Sequence, residues 1–66
     1  MTDEIRFLRA RAVSELTGLS RGQIYKLVKQ GDFPAPFRLS ERAVAWRSDQ
    51  IAEWMESRRP VESIAA

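Results

Sequence analysis

The sequence predicts a mainly α-helical domain with a small β-hairpin, arranged as a winged helix-turn-helix: helix, turn, helix, two-stranded wing, third helix. Three observations carry this. Thr17 to Tyr25 reads TGLSRGQIY, in which Gly18 suits the positive φ that ends one helix. Ser20 and Gln23 in the same stretch make a Ser-x-x-Gln capping box that opens the next helix. Asp32 to Phe37 reads DFPAPF, where two prolines exclude a helix and hold the chain extended. Directly afterwards the apolar period becomes two: Phe37 and Leu39 alternate with Arg38, then Val44 and Trp46 alternate with Ala43, Ala45 and Arg47.

Taken in order, Met1 to Glu4 is polar and expected to fray, and Arg6-Phe7-Leu8 reads as a short extended segment. A first helix is expected from about Arg9 to Thr17, with Val13 and Leu16 at i, i+3 beside Ala12. No Ser, Thr, Asp or Asn marks its start. The second helix runs from about Arg21 to Gln30 and stops at Gly31, with Ile24, Leu27 and Val28 inward. The hairpin tip is expected at Ser40 to Arg42 and lacks Asn-Gly or Asp-Gly, which leaves its turn type open. Ser48 is expected to cap a third helix with Asp49 in its first turn and Ile51, Trp54 and Met55 as its stripe. That helix is expected to end near Arg58 or Arg59, before Pro60. Residues 1–59 would form the winged domain and residues 60–66 a flexible C-terminal tail. The expected core is Val13, Leu16, Leu19, Ile24, Leu27, Val28, Leu39, Val44, Trp46, Ile51 and Trp54.

A chain of 66 residues buries only about 60% of its unfolded surface, so its core is marginal. It has no cysteine and no histidine, which removes disulfides, thiolate metal sites, the usual general base and the commonest metal ligand. Asp49, Glu53 and Glu56 fall at helical spacing and read as a hydrated helix face rather than a metal site. No catalytic constellation is visible, so no enzyme and no cofactor is expected. Nothing resembles a signal peptide, and no apolar run approaches the ~20 residues of a membrane span. A cytoplasmic protein without membrane contact is expected.

The net charge of +2 is mild, but its distribution is uneven. Residues 1–20 sum to zero, residues 21–47 to +4, and residues 48–66 to −2. Such an asymmetry steers a polyanion to one face. A short helix with a capped, basic, hydrogen-bonding front end suits the major groove of DNA.

The candidate DNA-binding residues are Ser20, Arg21, Gly22, Gln23, Tyr25, Lys26, Lys29, Arg38, Arg42 and Arg47. Arg21, on the first turn of the second helix, can pair bidentately with guanine or hold a phosphate. Gln23 can read adenine or fold back onto the amide of Ser20. Gly22 costs the helix up to ~1 kcal/mol against Ala and would let it approach DNA closely. Tyr25, Lys26 and Lys29 suit phosphates; Tyr25 could instead pack against the Phe33–Pro34 linker. Arg42 at the wing tip could enter a minor groove or pair with Glu41. Arg38 and Arg47 suit phosphates, although one of them could pair with Asp49 or Glu53. Trp46 and Trp54 sit on the apolar phase of their elements and read as core rather than as base-stacking platforms.

Read together, TGLSR at 17–21, Ile24-Tyr25, the Gly31-x-Phe33-Pro34-x-Pro36 linker, Arg42 to Arg47 and Ile51 with Trp54 make the chain resemble the AlpA-type phage regulators over about residues 7–59. These are small DNA-binding proteins related to excisionases and to the DNA-binding domain of MerR-type regulators. Gly22 and Ser40 depart from the residues usual in that family. The resemblance implies a sequence-specific double-stranded DNA-binding regulator of a prophage or mobile element that activates an integrase gene. It leaves open an excisionase, or recombination directionality factor, acting with an integrase. It also implies tandem binding of further copies to adjacent sites. The rival class is a protein-binding adaptor that docks through the acidic third helix and has no DNA affinity.

Overall fold

The computed structural model describes residues 4–61. The expected frayed start and the expected tail over 60–66 therefore fall mostly outside it. The elements are β1 (Phe7–Leu8), α1 (Ala10–Thr17), α2 (Arg21–Gln30), β2 (Phe37–Ser40), β3 (Ala43–Arg47) and α3 (Ser48–Glu56). This is the winged helix-turn-helix order, with one addition. The wing β2–β3 is part of a three-stranded antiparallel sheet, order β1-β3-β2, with Leu8 opposite Trp46 and Phe7 opposite Arg47. A two-residue strand is too short to show an alternation, so its pairing is not written in any period.

The joint between α1 and α2 is tied by side chains. Gly18 takes φ +81°, and its amide bonds the Ser14 carbonyl at 2.8 Å. The Ser14 hydroxyl donates to the Leu19 carbonyl, and the Thr17 hydroxyl accepts from the Leu19 amide at 3.2 Å while donating to the Val13 carbonyl at 2.8 Å. These two polar residues share the inner arc of α1 with Ala10 and Val13. Leu16 is thereby displaced to the rim, where it is exposed rather than in the core as expected. α2 begins and ends where the sequence marks it. Its capping box is complete, and at its end Gly31, φ +81°, lets the Gly31 and Asp32 amides close on the Val28 and Leu27 carbonyls.

In the wing, Phe37 lies opposite Ala45 and Arg38 opposite Val44, and a bulge falls between Arg38 and Ser40. This register puts Phe37 and Leu39 on the face opposite Val44 and Trp46. Leu39, in the bulge, is exposed like the rest of β2, against the expectation that it would be core. On that outer face the rings of Phe7 and Phe37 meet edge-on at 5.8 Å, beside the buried Ala45. The tip, Glu41-Arg42, contains no positive φ, which rules out the mirror-image turns usual in two-residue hairpins. The bulge absorbs the resulting mismatch in twist.

The core gathers Leu8, Val13, Ile24, Phe33, Trp46 and Ile51, with Leu19, Leu27, Val28 and Trp54 packed against it. Leu8 and Phe33 join it from segments expected only to be extended. The linker is held by both tryptophans. The Trp46 indole N–H donates to the Pro34 carbonyl at 2.7 Å and that of Trp54 to the Asp32 carbonyl at 2.8 Å. Phe33 packs edge-on to Trp54 at 4.6 Å.

α3 differs from expectation at both ends. Its N-cap is Arg47, not Ser48, whose hydroxyl instead accepts from the Arg6 amide at 2.8 Å while the Ser48 amide bonds the Arg6 carbonyl. The helix stops at Glu56, short of Arg58, where the Ser57 hydroxyl donates to the Trp54 carbonyl. Arg58 then lies over the Trp54 ring at 4.6 Å.

Candidate nucleic-acid interface

The interface is built on the outward face of α2. Burial of Ile24, with Leu27 and Val28 half-buried, fixes the helix's rotation. Gly22, Lys26 and Lys29 then fall on one exposed face, at i, i+4 and i+7. Gly22 has no neighbour within 4 Å of where a Cβ would stand, so the front of the helix is smooth at that point. Arg21 and Tyr25 form the flank next to α1 and the wing; Gln23 lies on the other flank.

The structure assigns several of the candidates to definite partners. Ser20 Oγ accepts from the Gln23 amide at 3.2 Å, and Gln23 Oε1 accepts from the Ser20 amide at 2.9 Å. Gln23 thus folds back through its oxygen. Tyr25 packs edge-on to Trp46 at 5.8 Å and keeps 44% of its surface exposed. Trp46 is fully buried and cannot serve as a stacking platform. Arg38 Nη1 donates to the Glu41 carbonyl at 2.9 Å and braces the hairpin tip. Arg47 is engaged by Asp49 in a two-pronged pair, at 3.0 and 2.8 Å. Arg21, Lys26, Lys29 and Arg42 enter no ion pair among the described residues.

Arg21, Tyr25 and Arg42 meet in one cleft, between the start of α2 and the wing tip. The helix and the wing therefore present one connected basic surface. Arg9 and Arg11, at the start of α1, line the same cleft. They were not legible as part of the surface, because the charge of residues 1–20 sums to zero and both lie at the far end of the first helix from the turn.

The described residues contain no group of three or more His, Cys, Asp or Glu side chains placed to hold a metal ion. No described helix is long and apolar enough to cross a membrane.

The family described as "Prophage CP4-57 regulatory protein (AlpA)" matches residues 6–59. The "Uncharacterized protein ORF88" of Enterobacteria phage P4 is 43% identical over 53 residues, which are 80% of this chain and 60% of that protein. This chain thus spans about 60% of the length of that relative. No solved structure matches.

Proposed function

The chain belongs to the AlpA family of phage regulatory proteins, and from that premise we propose that it is a sequence-specific double-stranded DNA-binding protein that regulates a prophage or mobile element through its integrase gene. α2 enters the major groove, with Arg21 at its leading end, Gly22 allowing close approach, and Lys26 and Lys29 toward the phosphates. The β2–β3 wing carries Arg42 toward the neighbouring minor groove. The single observation that supports this best is the shared cleft of Arg21, Tyr25 and Arg42, which joins helix and wing into one basic surface. A module this small reaches a short site, so useful affinity comes from further copies on tandem sites or from an integrase beside it. It acts in the cytoplasm, at the nucleoid.

The test is fluorescence anisotropy with a duplex taken from the region upstream of a prophage integrase gene, against a random duplex of equal length. Tighter binding to the first supports the regulator. Equal affinity for both removes sequence specificity. Binding to neither leaves the adaptor reading, with the α3 carboxylates Asp49, Glu53 and Glu56 as its surface.

A further inference from the structure

The cleft beside α2 contains more positive charge than the helix and wing supply. Arg9, Ala10 and Arg11 border it together with Arg21, Tyr25, Arg42 and Val44, around a volume of about 280 Å³. Four arginines thus border one recess, and no acidic residue does. Arg9, Arg21 and Arg42 enter no ion pair among the described residues. Arg11 has a 3.7 Å contact with Glu15 between well-exposed side chains, which is worth little. Like charges held around a recess repel one another. An anion seated among them reverses the sign of that energy and takes planar, charge-assisted hydrogen bonds from the guanidinium forks.

Its position identifies the anion. One wall of the recess comes from α2 and another from the wing tip. If those elements occupy neighbouring grooves, the strand of phosphodiesters dividing major from minor groove runs between them. We propose that the recess seats a backbone phosphate of duplex DNA, and that Arg9 and Arg11 are phosphate-binding residues fixing the depth and register of α2 in its groove. This rests on the DNA-binding reading above. The α1 amides at the rim support the same reading, since Arg9, the N-cap of α1, supplies no side-chain cap, but the cluster of arginines carries the inference.

The experiment uses the full chain, titrated by anisotropy against specific and random duplexes over a range of salt, for wild type, Arg9→Gln, Arg11→Gln and the double variant. Both side chains are exposed, so the thermal melt should be unchanged. Each single variant is expected to lose about three- to tenfold in affinity, equally on both duplexes, with the slope of log K against log salt shallower by up to about 0.9 for the one phosphate seated. A duplex with one neutral methylphosphonate, moved along both strands, is expected to weaken the wild type at a ridge position and to weaken the double variant less there. A double variant that matches the wild type in affinity and slope would overturn the inference while leaving DNA binding intact. A loss confined to the specific duplex would make these arginines base readers and overturn the phosphate assignment. A wild type that binds no duplex even at low salt would overturn both this inference and the DNA-binding reading.

Discussion

Gly22 is the residue whose presence the folded chain least explains. It lies on the exposed front of α2, it has open space around it, and glycine there costs up to ~1 kcal/mol against alanine. Gly22→Ala is therefore expected to raise the melting temperature and, at the same time, to weaken duplex binding, because the added methyl stands between helix and bases. Unchanged affinity in the stabilised variant would remove close approach as the reason for the glycine. Its neighbours divide by role. Arg21→Ala should relax preference at one or two base pairs by ~1–3 kcal/mol, whereas Lys29→Ala should weaken all sequences alike and lower the salt slope by ~1. Equal losses on specific and random duplexes would make Arg21 a phosphate contact too. Arg47 was readable as a choice between a phosphate and an acidic partner, and the structure takes the second. Its charge and place beside the hairpin suit a phosphate, but the contact with Asp49, two positions on, depends on how β3 turns into α3.

At the scale of elements, legibility follows the punctuation. α2 was readable to both ends because a capping box opens it and a left-handed glycine closes it, each a local device. Ser20→Ala is expected to cost ~0.5–2 kcal/mol, measured by chemical denaturation, since it leaves the Gln23 amide without its partner. α3 was readable in its stripe at Ile51 and Trp54 but not at Met55, which is exposed, nor in its start, because Ser48 is used across the sheet by Arg6, 42 residues away in sequence. Leu39 shows the same limit. Alternation established that β2 has two faces, but all of its residues are exposed and the buried residues of the hairpin lie on β3. The linker's contribution was invisible for a related reason: Phe33 sits in no periodic element, yet it is buried once two indoles anchor the carbonyls on either side of it. Trp46 is accordingly the centre of the wing. Trp46→Ala should cost ~3–5 kcal/mol, as large aromatic truncations do. Trp46→Phe should cost less, by keeping the ring but leaving the Pro34 carbonyl unbonded. A cooperative melt of the alanine variant close to wild type would contradict the burial of this ring.

At the scale of the whole molecule, a small core supports a surface whose charges are sorted by element. Positive charge gathers at the starts of α1 and α2, along the front of α2 and at the wing tip, while α3 carries Asp49, Glu53 and Glu56. Net charge alone, at +2, gives no hint of this sorting. The segment sums revealed the basic middle of the chain, and folding was needed to bring Arg9 and Arg11 beside it. The most direct test of the central claim, that this basic face binds duplex DNA, is the salt dependence of binding by the full chain. If about four of these cations meet phosphates, log K is expected to fall against log salt with a slope near −3.5, at roughly −0.9 per phosphate. Binding that is undetectable at low salt, or an affinity that does not change with salt, would contradict it.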